Sequence, residues 1–329
     1  MSIKSFFGKT RTLLSGDYRE IERNCIEAKN ARVIRRYKGK EKIYCVLRLY
    51  TDEGGLFNFF LKALSGISYS IQHGYIPVID MQTKENIFCD AKERKTKNAW
   101  ELFFEQPAGV RFEEVKEKKN KIILENPRMP GGSMLSLTRT EKQIIYWRKL
   151  CKKYIHFSAA VKAEIEKYEN EYNKTDRWLG VLARGTDYLS KGVGHAVQPD
   201  FDTLIEKIRS VKEEYGCKRI FLATEDLQIL EALNNAFGEE IMTIEQKRYR
   251  GKQDVKLGQK EDYRRDAVAM NISYLAAIHY LSRCSCFITA DTGGATGAYI
   301  LSGGYEYTHC WFLGTMGSTD EETLDISRI

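Results

Sequence analysis

Residues 178–188 of the chain read WLGVLARGTDY, and they carry the clearest signal of its fold. A short apolar run that is bounded by polar residues and a glycine is typical of a strand buried on both faces of a parallel sheet. The run ends at Arg184, and open parallel sheets bind their ligands beyond the carboxyl ends of the strands. The stretch therefore predicts a buried strand whose last residue reaches a binding site.

The rest of the second half alternates between apolar strand patterns and amphipathic helix patterns. Further strands are predicted at residues 219–224, 240–244, 286–290 and 307–313. Helices are predicted between them at residues 199–215, 227–237, 264–283 and 294–301. Pro199 is expected in the first turn of its helix, where a missing N–H costs nothing. This alternation predicts a parallel, Rossmann-like sheet.

The first half contains one clear strand–helix–strand unit. Residues 42–50 have the composition of a strand, and a glycine turn follows at residues 51–56. A helix is expected at residues 57–73, with Gly74 as its stop, and a second strand at residues 75–81. Two sequential strands joined by a helix predict a second parallel α/β arrangement.

The polar segment 168–177 separates the two halves and is the predicted domain boundary. We expect one Rossmann-like domain in residues 1–175 and another in residues 176–329. Before the boundary, residues 141–169 show helical periodicity, whereas the charge cluster at 116–121 is expected to be a solvated turn. The predicted fold class is α/β, with two Rossmann-like domains facing a cleft.

The composition fits a globular protein, with 43% hydrophobic and 29% charged residues in a chain of 329. No apolar run reaches the roughly 18 residues that a spanning helix needs, and the N-terminus lacks the apolar block of a signal peptide. The eight cysteines follow no zinc-binding spacing, which favours free thiols in a reducing compartment. These features predict a cytoplasmic protein.

The formal net charge of +7 is concentrated at the start of the chain. Residues 1–40 hold eleven Lys and Arg but only four Asp and Glu, together with several large apolar residues. This pattern fits an amphipathic helix lying on the inner face of an anionic membrane, and it fits a solvated surface helix equally. No nucleic-acid-binding motif accompanies the charge, so a nucleic-acid partner is not expected.

The loop after the strand at 178–184 is the first candidate site. Arginine offers five donors in a fixed fork that matches phosphate oxygens, which makes Arg184 a candidate phosphate ligand. Gly185 would let the backbone approach a ligand, and Asp187 would orient Arg184 or receive a proton. A structural Arg–Asp pair is the alternative.

The loop after the strand at 219–224 is the second candidate site. It contains Thr224, Glu225 and Asp226, whose oxygens would accept hydrogen bonds from a base or a ribose. Capping of the following helix by Asp226 is the alternative, and both roles are compatible within one loop.

A glycine-rich turn after the strand at 286–290 is the third candidate site. A turn that leads into a helix presents unpaired N–H groups and the positive end of the helix dipole to an anion such as a diphosphate. A tight turn that only permits close helix packing is the alternative. The candidate residues are Asp291, Thr292, Gly293, Gly294, Ala295 and Thr296.

The first half has a similar turn between strand and helix. It contains Gly54, Gly55 and Asn58, and we expect it to face the third site across the cleft. His195, in a glycine-rich loop near Arg184, is a possible acceptor-side residue. No D-x-D triplet and no metal-binding histidine pair occurs, so no metal is expected.

Together these loops resemble the fucosyltransferase superfamily of GT-B fold, which includes the α1,2-, α1,6- and protein O-fucosyltransferases. Residues 183–188 (ARGTDY) are similar to the family's H-x-R-R/G-x-D segment, whose first arginine binds the donor β-phosphate. Residues 221–226 (FLATED) resemble its T/S-D-D element, which contacts the nucleotide. Residues 281–296 are similar to the segment that cradles the diphosphate, and residues 55–58 (GLFN) to the N-terminal G-x-x-G-N loop.

The sequence departs from the family pattern at three places. Leu182 stands where the family has a histidine, and Thr292–Gly294 replace the serine pair of the phosphate segment. Residues 189–198 contain no equivalent of the glutamate that serves some members as catalytic base.

The resemblance implies an inverting, metal-independent glycosyltransferase that uses GDP-fucose as a substrate and needs no cofactor. The acceptor would be a glycan or a lipid-linked glycan, in bacterial surface polysaccharide synthesis. Two alternatives stay open: a GT-B transferase with a rhamnose- or heptose-type donor, and an inactive protein that binds a sugar nucleotide. A dehydrogenase is disfavoured because the G-x-G-x-x-G fingerprint is missing.

Overall fold

A computed structural model gives the structure of the chain. It describes residues 32–35, 41–50, 55–127, 141–173, 175–189, 195–252 and 257–314. Most of the basic segment 1–40 therefore lies outside the described residues, and so does the membrane contact predicted for it.

The described part of the first half contains a mixed sheet in the order β1-β4-β2-β3. Its strands are β1 (Arg32–Arg35), β2 (Tyr44–Arg48), β3 (Ile76–Asp80) and β4 (Lys121–Glu125). β2 pairs in parallel with β3 and β4, whereas β1 runs antiparallel to β4. Helix α1 (Leu56–Gln72) connects β2 to β3, and this confirms the predicted strand–helix–strand unit.

Strand β4 lies partly where the sequence predicted only a solvated turn. A short helix α2 (Phe112–Val115) and a turn precede the strand, which begins at Lys121, the last residue of the charge cluster. Lys121 is only 8% exposed, and its ammonium group donates a hydrogen bond to the carbonyl of Val115 at 3.4 Å. A lysine can occupy a strand here because its methylene stem is buried while its charged end finds an acceptor.

The helical pattern at residues 141–169 corresponds to two helices, α3 (Glu141–Tyr154) and α4 (Ala159–Glu166). Ser158 separates them, because its side chain caps the first turn of α4. The same hydroxyl donates a hydrogen bond to the carbonyl of Leu102 at 2.9 Å. The break is therefore fixed by a helix cap that also ties the chain to an earlier loop.

The second half contains a sheet in the order β7-β6-β5-β8-β9, with every pair parallel. Its strands are β5 (Trp178–Leu182), β6 (Arg219–Ala223), β7 (Ile241–Met242), β8 (Cys286–Ala290) and β9 (Tyr307–Trp311). All five were predicted from the sequence, with no end displaced by more than two residues. The central strand β5 is buried along its whole length, as its apolar run requires.

Four helices lie between these strands: α5 (Phe201–Tyr215), α6 (Leu227–Phe237), α7 (Glu261–Leu281) and α8 (Gly293–Leu301). The prediction that Pro199 opens α5 is wrong. Asp200 caps that helix by accepting the N–H of Thr203 at 2.8 Å, so Pro199 precedes the cap. An aspartate that satisfies a free N–H marks the helix start more strongly than a proline does.

One contact between the two halves joins α1 to the glycine-rich start of α8. A Cβ on Gly297 would lie 2.0 Å from Cε1 of Phe57, and one on Gly293 would lie 3.3 Å from the Phe57 Cβ. The Phe57 ring therefore packs directly on the α8 backbone. It also meets Tyr274 of α7 edge-on, with ring centroids 5.5 Å apart. The boundary placed between residues 175 and 176 stays a prediction.

No helix in the described ranges is both long enough and apolar enough to cross a bilayer. The seven cysteines in those ranges are buried free thiols, as the sequence predicted for them.

The contact between Phe57 and Gly297 can be tested by filling the space that the ring uses. We expect Gly297→Ala to lower the free energy of unfolding by about 1–3 kcal/mol, because a rigid buried ring must move. Urea denaturation would measure the change. Gly303→Ala is the matched control, because a Cβ at Gly303 meets no atom within 4 Å.

The loss of stability caused by Gly297→Ala should also depend on Phe57. If the ring causes the clash, Gly297→Ala should cost less in a Phe57→Leu background than in the wild-type chain. Equal costs in both backgrounds would contradict the contact.

Candidate functional site

The second sheet has a topological switch point between β5 and β8. From β5 the chain runs outward through β6 and β7, and it then continues on the other side through β8 and β9. Connections on the two sides leave a crevice beyond the carboxyl ends of the two central strands. Arg184 follows β5 and Asp291 follows β8, so two of the predicted loops flank this crevice.

The loop after β6 holds the loop after β5 through two carboxylates. The Gly185 N–H donates to Glu225 Oε1 at 2.9 Å, and the Thr186 N–H donates to Asp226 Oδ2 at 2.9 Å. The Thr186 hydroxyl donates to Glu225 Oε1 as well, at 3.0 Å. Hydrogen bonds to charged acceptors are stronger than neutral ones, so the two loops form one unit.

This unit is tight enough to restrict the residue types in it. A Cβ on Gly185 would lie 2.2 Å from Asp226 Oδ2, which leaves room for glycine alone. Thr186 is fully buried and has a left-handed φ of 49°, which a β-branched residue rarely adopts. Such a conformation costs about 1–3 kcal/mol and persists only where neighbouring contacts enforce it. Here the two carboxylates supply those contacts.

Arg184 lies between these carboxylates and an aromatic ring. Its Nε is 3.0 Å from Glu225 Oε2, without the angle of a hydrogen bond, and Nη2 is 3.6 Å from Asp187 Oδ1. The guanidinium Cζ lies 4.5 Å from the centroid of the Tyr188 ring. The side chain keeps 18% of its surface exposed, so it lines the crevice and is not sealed in the core.

Opposing effects act on the charge of Arg184. Burial tends to lower the pKa of the guanidinium, but Glu225, Tyr188, Tyr274 and Asp187 together raise that pKa well above its ordinary value. Arg184 is therefore a permanent cation, and it lies beside the crevice between the carboxyl ends of β5 and β8.

The remaining residues of these loops mainly build the loops themselves. Asp226 is fully buried and caps α6 by accepting the N–H of Gln228 at 2.7 Å, which is the capping role considered from the sequence. Thr224 is 2% exposed, and its hydroxyl accepts the N–H of Asp226 at 3.1 Å. Asp187 accepts the N–H of Leu257 at 3.3 Å. Whether any of them contacts a ligand stays a prediction.

Helix α8 begins beside the crevice with a side-chain cap. The Thr292 hydroxyl accepts the N–H of Ala295 at 3.1 Å, and the Thr296 hydroxyl donates to the Thr292 carbonyl at 3.2 Å. The glycines at the start of α8 also have a packing role. The Tyr274 hydroxyl lies 1.9 Å from where a Cβ of Gly294 would be, so the close-packing alternative considered from the sequence holds for this turn.

The glycine turn before α1, predicted to face the start of α8, is described only from Gly55 onward. Gly54 lies outside the described residues. Gly55 is the N-cap of α1, and its carbonyl accepts the N–H of Asn58 at 2.9 Å. Asn58 is exposed, and its neighbour Phe57 packs against α8. The N-termini of α1 and α8 are therefore neighbours, as the expected two-sided arrangement requires.

His195 and Arg184 both contact the ring of Tyr188. Its imidazole centroid is 4.6 Å from the centroid of Tyr188, the ring that underlies Arg184. A role for His195 on the acceptor side stays a prediction.

Sequence reasoning missed three aromatic residues that complete the site: Tyr188, Phe57 and Tyr274. Tyr188 ends the quoted stretch and was not given a role, although its place four residues after Arg184 was visible. Phe57 and Tyr274 belong to predicted helices, and neither was given a role in the site. A three-dimensional contact between α1, α7 and α8 cannot be inferred from one sequence.

No group of three or more His, Cys, Asp or Glu side chains suited to a metal ion occurs in the part of the chain that the structure describes. This finding does not test metal independence, which stays a prediction.

The fold is similar to that of two solved fucosyltransferases. One is NodZ from Bradyrhizobium, at 16% identity and a TM-score of 0.50, with 80% of this chain and 94% of that chain covered. The other is a mutant of FUT1 from Arabidopsis thaliana in complex with GDP, at 11% identity and a TM-score of 0.50, with 89% and 77% covered. No family model matches the sequence, and no curated protein matches it.

At this level of identity the similarity concerns the fold. The described residues form two sheets, and the helices α1 and α8, which follow β2 and β8, pack against each other. The similarity covers most of both solved chains. The chain therefore has the GT-B fold of these fucosyltransferases, as its sequence predicted.

Proposed function

We propose that the protein is an inverting, metal-independent glycosyltransferase that moves fucose from GDP-fucose to a glycan hydroxyl. The observation that carries this proposal is the position of Arg184, a permanent cation that lines the crevice beside the N-terminus of α8. The two similar structures are fucosyltransferases, one of them in complex with GDP, and this supports the choice of donor.

Arg184 and α8 offer two kinds of positive charge to a departing diphosphate. Arg184 offers a forked cation, and the first turn of α8 offers backbone N–H groups and the positive end of the helix dipole. Charge stabilisation of this kind is often the largest contribution to catalysis, and it needs no metal ion. The acceptor hydroxyl would attack the anomeric carbon from the face opposite the diphosphate, which inverts the configuration.

Glu225 and Asp187 balance the charge of Arg184. The Nε of Arg184 has no hydrogen bond despite its 3.0 Å approach to Glu225. Because the side chain keeps 18% of its surface exposed, a phosphate in the crevice would compete with these carboxylates for the guanidinium. Asp187 orients Arg184 in this scheme, because one of its oxygens is already used by the Leu257 N–H.

The remaining donor-binding residues follow from their positions around the crevice. Glu225 is proposed to contact the nucleotide, with Thr224 and Asp226 supporting its loop. Residues 291–296 are proposed to cradle the diphosphate, and Gly54, Gly55 and Asn58 are proposed to contact it from the first half of the chain. His195 is the candidate on the acceptor side.

The cellular setting is proposed from the sequence. A cytoplasmic enzyme that touches the membrane through residues 1–40 would suit the assembly of a bacterial surface polysaccharide on a lipid-linked acceptor. A rhamnose- or heptose-type donor, or nucleotide binding without turnover, is the competing proposal.

The proposed role of Arg184 predicts a large loss of activity on substitution. Arg184→Ala should lower kcat by at least ~10²-fold, because one preorganised donor to the leaving group is removed. Arg184→Lys should retain more activity than Arg184→Ala but less than the wild-type protein, because a lysine ammonium lacks the forked donors of a guanidinium. Transfer from GDP-[14C]fucose to a glycan panel would measure both.

Arg219→Ala is the matched control for charge. Arg219 stands at the amino end of β6, on the opposite edge of the sheet, with its guanidinium 5.2 Å from the Trp178 ring. Its loss should leave transfer within about twofold. Near wild-type transfer by Arg184→Ala would refute the mechanism.

Calorimetry with GDP, UDP, dTDP and ADP tests the donor. We expect selective binding of GDP, with affinity falling at least tenfold for the other three. Preference for dTDP or ADP would favour a rhamnose- or heptose-type donor. Selective GDP binding without turnover on any acceptor would favour the inactive binding protein.

A further inference from the structure

We infer that the hydroxyl of Tyr274 is a ligand of the diphosphate, positioned between Arg184 and the first turn of α8. This inference rests on the proposed function, because it names a further residue of the same donor site.

The first observation is the place of the hydroxyl. Tyr274 projects from α7 toward α8, and its hydroxyl lies 1.9 Å from the position of a Cβ on Gly294, with Cζ at 3.0 Å. Gly294 is the second residue of α8, where backbone N–H groups have no partner within the helix. The phenol oxygen thus occupies the surface that an anion at this helix start would approach.

The second observation is its neighbour on the other side. The Tyr274 phenol is close enough to the guanidinium of Arg184 for that cation to act on the phenol pKa. Arg184 flanks the crevice from β5, and Gly294 flanks it from β8. One hydroxyl therefore bridges the two elements that we propose to share the diphosphate charge.

The third observation concerns the proton. Burial raises the pKa of the Tyr274 phenol, and this outweighs the opposite effect of Arg184. The phenol consequently keeps its proton at physiological pH and is a hydrogen-bond donor. A neutral donor beside a cation and a helix N-terminus suits an anionic oxygen, and it adds no charge of its own.

The fourth observation is that the ring is held in place. Its edge meets the Phe57 ring at an interplanar angle of 82° and a centroid distance of 5.5 Å. Phe57 belongs to the other half of the chain and packs on the α8 backbone. The hydroxyl is therefore preorganised by contacts from both halves before any ligand binds.

Two variants separate the hydroxyl from the ring. Tyr274→Phe removes one oxygen and keeps the aromatic packing. Tyr280→Phe is the matched control, because Tyr280 lies on the same helix and its hydroxyl donates to the Ile165 carbonyl at 2.7 Å. Both variants lose one buried hydrogen-bonding group, but only one of those groups faces the crevice.

Calorimetry with GDP and with guanosine gives the decisive readout. A hydrogen bond to a charged acceptor corresponds to a change of about 10- to 100-fold in the dissociation constant. We expect Tyr274→Phe to weaken GDP binding by that factor and to leave guanosine binding unchanged, since guanosine has no phosphate. Tyr280→Phe should change neither.

Each other outcome would overturn the inference in a recognisable way. If the wild-type protein binds GDP and Tyr274→Phe behaves like Tyr280→Phe, the proposed function stands and Tyr274 is only a packing residue. An equal loss for guanosine and GDP would indicate a general distortion of the site. A wild-type protein that binds no nucleoside diphosphate would remove the proposed function and this inference together.

A stability cycle checks the geometry without any ligand. Gly294→Ala should destabilise the wild-type chain, because its Cβ would coincide with the hydroxyl. The same substitution should cost less in the Tyr274→Phe background, where that oxygen is gone. Equal costs in both backgrounds would place the hydroxyl elsewhere and overturn the inference.

Discussion

The site depends on the hydrogen bonds that two adjacent carboxylates accept from one short loop. Glu225 and Asp226 take the N–H groups of Gly185 and Thr186 at 2.9 Å each. These bonds hold a buried threonine in a left-handed conformation, and they exclude any side chain at position 185. Without them the loop would relax, and Arg184 would no longer be aimed across the crevice. The loop that follows β6 thus sets the direction of the Arg184 guanidinium, which follows the neighbouring strand β5.

The sequence predicted the elements that depend on local pattern. The five strands of the second sheet were visible because short apolar runs alternate with helices, and Arg184 was visible because it ends such a run. Strand β4 was missed because it begins with Lys121, and a lysine at the end of a charge cluster predicts solvent. Pro199 was misplaced because Asp200 provides the stronger helix start.

The contacts between distant segments could not be predicted. The glycines of α8 were interpreted as an opening for an anion, and the structure shows that Phe57 and Tyr274 also require them. Phe57 and Tyr274 are more than two hundred residues apart in the chain. Helical spacing predicts that such residues are buried, but it does not predict which residues they pack against. The fold could therefore be derived from one sequence more completely than the lining of the site.

The packing of Phe57 on bare backbone has a mechanical consequence. The Phe57 ring lies close against two glycines of α8, Gly293 and Gly297, which hinders sliding of α1 along α8. The contact therefore holds the two halves together close to the crevice. An opening of the cleft that parted α1 from α8 would have to pull the Phe57 ring off this backbone. A motion that leaves the ring in place would preserve the shape of the crevice beside the start of α8.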